Sequence, residues 1–359
     1  MRKSDAKSYV DPADGGTLAL KIDKANGDEV LSGALVAKGG ARYAISKGIP
    51  DLTYPPALAP SDARERAYYD TRADEYDAYL PLTFSTFGVD ETAGRNSMID
   101  EMRLKPTARV LEHGCGSGRD SELIAKRLGP KGHLHMLDLS RGMLDKAVDR
   151  MAGTKVPLSM AVANGSYLPF RDRSFDATYH FGGLNTFADI ERAFAEAVRV
   201  TKVGGRVVMG DESMPPWLRD TDFGRILMNS NPHYRFELPL GHMPIEARDV
   251  SLRWLLGGVF YVISFTVGEG EPPADLDFEI PGPRGGTHRT RYQGHLEGVT
   301  PAVKELATKA RARSGKSMHA WLEDAIRQAA ARDLGPNSAR AAKAAPKPKG
   351  KSRQRRKTK

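Results

Sequence analysis

The sequence predicts an α/β fold: a seven-stranded, mostly parallel sheet with an antiparallel last strand, a small β unit before it and a helical hairpin after it. Three observations carry this. Between Ala108 and about Val267, short apolar runs alternate with amphipathic segments, as strands joined by crossover helices do. The first run is followed at once by a glycine-rich turn, His113–Gly118. The last two runs, Val250–Leu256 and Val259–Val267, flank Gly257-Gly258 and read as an antiparallel hairpin.

Each element has a local reason. Residues 8–54 hold short alternating runs (Leu18, Leu20, Ile22; then Leu31, Leu35, Val36) among glycines, which predicts the small β unit. Pro55, Pro56 and Pro60 form a spacer, and 61–102 read as helices with Tyr68, Tyr69, Tyr76 and Tyr79 at helical spacing. Val110-Leu111-Glu112 is the first strand of the main sheet, and a helix from Asp120 to Leu128 stops at Gly129-Pro130. Strands follow at His133–Leu137, Leu158–Ala163, Phe175–Phe181 and Arg206–Met209, with helices at Arg141–Met151 and Ile190–Val200. Residues 213–243 interrupt the alternation with an apolar set including Trp217, Phe223, Ile226, Tyr234 and Phe236, which either covers a substrate or packs a core. The main domain is thus 61–267, with 213–243 inserted in it.

Composition excludes several classes. With 40% hydrophobic and 28% charged residues, the chain of 359 residues can build ordinary cores. One cysteine, Cys115, permits neither an internal disulfide nor a multi-cysteine zinc site, and no metal is expected. The most apolar stretch, Trp254 to Val267, is too short to span a bilayer, and the first ten residues lack a signal-peptide core, so a cytoplasmic location is expected. The net charge of +9 is local: ten Lys and Arg lie in 335–359 with no Asp or Glu, leaving 44 basic against 45 acidic residues before it. That tail reads as disordered, and serves either to grip nucleic acid or to keep the chain soluble.

The chemistry is concentrated in VLEHGCGSGRD. Gly114, Gly116 and Gly118 between a strand and a helix allow a ligand close to the backbone and leave helix N–H groups to meet it. Asp138 ends the next strand, where a carboxylate accepts hydrogen bonds from ribose hydroxyls. A dinucleotide fingerprint would need glycine at 119, where Arg119 stands. Glu112 places a carboxylate beside the turn, which repels a pyrophosphate and suits a cationic ligand. The ammonium and sulfonium of S-adenosylmethionine answer that charge.

VLEHGCGSGRD, HMLDLSRGML, NGSYLPFRDRSFDATYHFGGLNTF and EAVRVTKVGGRVVMGDES together resemble the successive motifs of class I S-adenosylmethionine-dependent methyltransferases, which have a Rossmann-like sheet. The nearest resemblance is to the ubiquinone/menaquinone C-methyltransferase group, over about residues 64–267. It implies that Glu112, His113, Gly114, Gly116 and Gly118 line the methionine side, that Asp138 and Leu139 hold the ribose, and that Asn164, Gly165 and Ser166 flank the adenine. It also implies that Tyr69 reaches the cofactor from the helical lead-in. The family's usual Asp-Ala is Asn164-Gly165 here, with an acceptor oxygen retained. Its Lys-Pro-Gly-Gly turn reads Lys202-Val203-Gly204-Gly205, a loop change expected to be harmless.

For catalysis, methyl transfer is a direct displacement that needs alignment, and a base only if the acceptor loses a proton. His180 at the fourth strand's tip is the first candidate, with Asp211 at the fifth and His233 in the insertion. No cysteine stands near the fourth strand and no Asn-Pro-Pro-Tyr loop follows it, which argues against pyrimidine C5 and exocyclic-amine methylation. The expected substrate is a small apolar or aromatic molecule methylated on O, C or N. RNA methylation assisted by the tail, and a regulator retaining the cofactor fold, are the competing readings.

Two flanking segments carry further resemblances. RYAISKGIPDL resembles the end of a zinc-ribbon-like module, degenerate here because Asp11 and Asp14 stand where cysteines would; a small β lid is the alternative. The segment 287–334, with stripes Val303/Leu306/Ala307/Ala310 and Met318/Trp321/Leu322/Ala325/Ile326, resembles ribbon-helix-helix modules. These pair by exchanging a strand and some bind DNA with it, so the segment reads as a hairpin for homodimerisation through 287–334 or for docking, with DNA binding as the alternative.

Overall fold

A computed structural model describes residues 1–283, 285–293 and 299–335; the basic tail after Gly335 lies outside them. The chain divides into two compact units, Met1–Pro272 and Pro273–Lys359.

The first unit opens with an antiparallel sheet in sequential order: β1 (Leu18–Asn26), β2 (Glu29–Ala37), β3 (Arg42–Ser46) and β4 (Ile49–Pro50). Two helices follow, α1 (Pro60–Thr86) and α2 (Glu91–Ile99). Helix α1 loses helical dihedrals at Arg72, between its two cavity-facing tyrosine pairs. Then come β5 (Arg109–His113), α3 (Arg119–Ala125), β6 (His133–Asp138), α4 (Arg141–Met151), β7 (Leu158–Val162), β8 (Phe175–Phe181), α5 (Ile190–Val200), β9 (Thr201–Glu212), α6 (Asp222–Ser230), β10 (Ala247–Leu255) and β11 (Phe260–Val267).

The main sheet has the order β10-β11-β9-β8-β5-β6-β7. Strands β5 to β9 pair in parallel, and β11 is antiparallel to both β9 and β10. Chain order reverses at β5, which pairs with β6 on one side and β8 on the other, so the crevice for a ligand opens at the carboxyl end of β5. Both sheet faces are covered, which is why these strands read as unbroken apolar runs. Val110, Leu134, Met136, Val208 and Val262 pack under α2, α3 and α4. Their alternating neighbours Val207, Met209 and Ile263 pack with Phe194 and Ala197 of α5. Side-chain caps explain the helix starts: Ser140 accepts from Met143 N at 3.1 Å, and Asp189 from Arg192 N at 2.8 Å.

The N-terminal sheet shares a core with the main one. Tyr9, Val30, Leu35, Ile45 and Leu52 are buried with Leu111, Leu137, Phe170 and Phe175. Leu52 N donates to Val162 O at 2.8 Å, covering the edge strand β7. None of the residues of this small β unit lines the cavity described below.

Several boundaries differ from the sequence reading. Helix α3 ends at Ala125 rather than Leu128, and β10 begins at Ala247 rather than Val250. Strand β9 begins at Thr201: Lys202–Gly205 form a bulge inside it, the β8 register jumping from Phe175/Thr201 to Ala177/Arg206. The insertion folds into α6 and two short 3-10 turns, Pro232–Arg235 and Pro239–His242.

In the second unit, α7 (His288–Gln293), α8 (Pro301–Ser314) and α9 (Met318–Leu334) are helical. Pro301 follows an N-cap Thr300, and Ser317 caps α9 through Ala320 N. His288–Gln293 is helix where a ribbon-helix-helix module would need a strand, and residues 294–298 lie outside the described ones. Neither α8 nor α9 buries a residue fully.

Candidate functional site

A cavity of about 500 Å³ opens at the carboxyl ends of β5, β6, β8 and β9, under α1. Its floor is the turn after β5. Gly114 and Gly116 have φ of +68° and +53°, and a Cβ at Gly114 would meet the His180 ring at 2.8 Å, so glycine is required there. The N–H of Gly116 donates to Asp138 Oδ2 at 2.8 Å, and Ser140 N donates to Oδ1 at 2.8 Å. Burial raises the Asp138 carboxyl to about 6 against the pull of these N–H donors.

Glu112 lies buried in the same wall, accepting from Ser121 Oγ at 2.5 Å. Burial, and then the charge of Asp120, hold its carboxyl well above the usual range, and Ser121 and Arg95 offset this in part. A cation arriving here would relieve the cost of a buried carboxylate. Arg95 pairs with Asp120 at 2.9 Å and with Glu91 at 2.8 Å.

Arg119, which replaces the dinucleotide glycine, ties the cavity's roof to its floor. Its Nε donates to Asp77 Oδ1 at 3.0 Å, and its Nη1 to Glu91 at 3.1 Å. Asp77 on α1 also accepts from Ser117 Oγ at 2.5 Å and Arg150 Nη2 at 2.7 Å. Although burial alone would raise the Asp77 carboxyl, these partners hold it below its usual value.

Glu112, Gly114, Gly116, Asp138, Leu139, Asn164, Gly165 and Tyr69 all line the cavity, as do His180 and His233. Four expected site residues do not, and each has another task. His113 is fully buried beneath His180, the rings stacked 4.9 Å apart. Gly118 gives α3 room against α4, for a Cβ would sit 3.3 Å from Ala147 Cβ. Ser166 donates to Asp189 O at 3.0 Å. Asp211 accepts backbone N–H groups from Gly183, Asn185 and Glu212 at 2.6–3.2 Å, so it pins the loop after β8 rather than facing a substrate.

His180, the first candidate base, donates from Nδ1 to His113 O at 2.6 Å, and burial lowers its conjugate acid to about 4. It is a weak base wedged under the glycine turn. Asn164 behaves differently from expectation in one respect: its amide donates to Asp62 Oδ2 at 3.0 Å while Oδ1 accepts from Ser166 N. Gly165 stands in place of alanine because Phe187 and His113 fill the space: a Cβ would lie 2.5 Å from the Phe187 ring and 3.0 Å from His113 Nδ1.

Several cavity residues escaped the sequence reading, among them Asp62, Glu65, Arg66, Arg95 and Asn231. Only the tyrosine spacing of α1 pointed to that face. Among the described residues, no group of three or more His, Cys, Asp or Glu could hold a metal ion, and no helix is long and apolar enough to cross a membrane.

A doubly wound sheet with an antiparallel last strand, a glycine turn, an acidic strand end and a buried glutamate at its crevice make a Rossmann-like fold of the methyltransferase type. Residues 110–205 match the family model of a methyltransferase domain. Among curated proteins, a demethylmenaquinone methyltransferase of Desulfitobacterium hafniense is 32% identical over 149 residues, 41% of this chain and 58% of that protein. The ubiquinone/menaquinone biosynthesis C-methyltransferase UbiE of Bordetella avium is 32% identical over 143 residues, 40% of this chain and 52% of that one. The chain thus spans little more than half the length of these relatives. Among solved structures, phosphoethanolamine N-methyltransferase 2 of Haemonchus contortus with S-adenosyl-L-methionine aligns at a TM-score of 0.46 and 14% identity, covering 64% of this chain and 63% of that one.

Proposed function

We propose that this protein transfers the methyl group of S-adenosylmethionine to an O, C or N atom of a small apolar or aromatic acceptor. The observation that carries this is the mixed lining of a single cavity. Glu112, the Gly114–Gly116 turn and Asp138 offer a buried carboxylate for a cationic amino-acid end and an acceptor for ribose hydroxyls. Tyr69, Tyr76, Phe181 and Phe260 line the same cavity and offer aromatic surface for an acceptor. In this reading Leu139, Asn164 and Gly165 flank the nucleoside. The cofactor supplies an electrophilic methyl on sulfur, and the protein's contribution is alignment and exclusion of water. The relatives' printed activities favour the same class, with a quinone-type ring as one acceptor to test.

The test incubates the full chain with methyl-labelled S-adenosylmethionine and cell extract, then counts label in RNA, protein and solvent-extractable fractions. Label in the extractable fraction is expected. Label in RNA would replace this reading with RNA methylation gripped by residues 335–359. Cofactor binding without any transfer would favour a regulator.

A further inference from the structure

The cavity wall also holds a hydrogen-bonded triple, Glu212, Asn231 and His233, to which the cofactor reading above gives no role. Strand β9 ends at Glu212, and the insertion folds back onto that end: Met214 N donates to Tyr234 O at 2.7 Å and Ser213 Oγ to Phe236 O at 2.8 Å. This return places Asn231 and His233 beside Glu212, and all three line the cavity. Asn231 acts in two directions. Its Oδ1 accepts from His233 N at 3.0 Å, and its Nδ2 donates to Glu212 Oε1 at 3.3 Å. His233 Nδ1 lies 3.3 Å from Glu212 Oε2. With Glu212 as the acceptor of this contact, the proton sits on Nδ1 and the lone pair on Nε2. Among the described residues, Nε2 has no hydrogen-bond partner.

His233 and His180 are therefore unlike. The side chain of His233 is 45% exposed, so it can return a proton to water, whereas His180 is sealed. The hydrogen bond to Glu212 comes first in raising the basicity of His233; burial opposes it, and the charges of Glu212, Asp211 and Glu65 add to it. Oriented imidazole with a carboxylate behind it is the arrangement of a general base.

We propose that His233 removes the proton from a weakly acidic hydroxyl of the acceptor, making this site an O-methylating one, with Glu212 and Asn231 as positioning residues. The inference rests on the methyltransferase reading above. The O–H proton passes to Nε2 and the oxygen's electron pair bonds the methyl carbon. The carbon–sulfur bond breaks with its pair on sulfur, so the sulfonium charge is replaced by an imidazolium. Deprotonation of His233 to water completes the cycle.

The test uses the full-length protein saturated with S-adenosylhomocysteine, with para-nitrophenol as the probe and phenolate absorbance read against pH. Calorimetry first measures S-adenosylhomocysteine binding in wild type, H233N and E212Q. Its absence in wild type defeats the methyltransferase reading, whatever the base; its presence in the variants shows that they are folded. The expected result is ionisation of the probe about one pH unit or more below its free value in wild type. H233N should abolish that shift and E212Q reduce it. An unshifted probe in wild type, or the same shift in H233N, overturns the assignment of His233 while leaving the cofactor site standing.

Discussion

Asp138 at the end of β6 accepts the backbone N–H of Gly116 at 2.8 Å, so the acidic strand end and the glycine turn are one structure, not two neighbouring motifs. The carboxylate shapes the floor of the cavity and lines it.

Replacing Asp138 by alanine removes a support for the turn and, on the proposed function, an acceptor for ribose hydroxyls. Hydrogen bonds to a charged group are worth ~1.5–3 kcal/mol each, so affinity for S-adenosylmethionine should fall by about tenfold to a hundredfold. Calorimetry on D138A measures this directly; unchanged affinity would remove Asp138 from the site.

The same carboxyl makes binding depend on pH. Burial raises it to about 6 in the free protein, and only the ionised form accepts from two hydroxyls. Affinity should be full above that value and decline as pH drops through it. A titration of the dissociation constant across that range checks the sign, and a flat profile refutes the mechanism.

Gly165 should not tolerate the alanine that the family pattern carries there. A Cβ would lie 2.5 Å from Phe187, and overpacking of this kind costs ~1–3 kcal/mol. Urea denaturation of G165A is expected to show that loss, and the double variant G165A/F187A to recover part of it. Equal stability of G165A and wild type would mean that Phe187 swings away freely.

Acid should destabilise the fold through its buried histidines. The His180 conjugate acid lies at about 4 in the folded protein against an ordinary 6.5, so the unfolded chain binds more protons between these values. Stability is complete above the unfolded value and falls with pH through this window, by roughly 3 kcal/mol from His180 alone. Denaturation of H180N at both ends of the window should show a shallower fall than wild type. His113 and His135, also held low by burial, retain a residual slope.

Much of the fold was legible because its signals are local. Apolar runs mark β5 to β11, Ser140 and Asp189 cap their helices within three residues, and the glycine turn follows its strand at once. The Lys202–Gly205 segment was misread as a loop because a bulge is defined by the partner strand, which no short window contains.

For the same reason the sequence by itself determined the sheet, the glycine turn, the acidic strand end and the preference for a cationic nucleoside ligand. Tertiary structure decided which side chains line the cavity and how each is held. His180, Asp211 and His233 are all polar candidates in the sequence, yet one is buried in the cavity wall against Gly114, one pins a loop, and one is half-exposed beside Glu212. Likewise Asn164 is held by Asp62, 102 residues away, a partner that no pattern could name. Spacing along the chain sets dihedrals and faces; burial and pairing between distant segments set the charge, basicity and reach of each group.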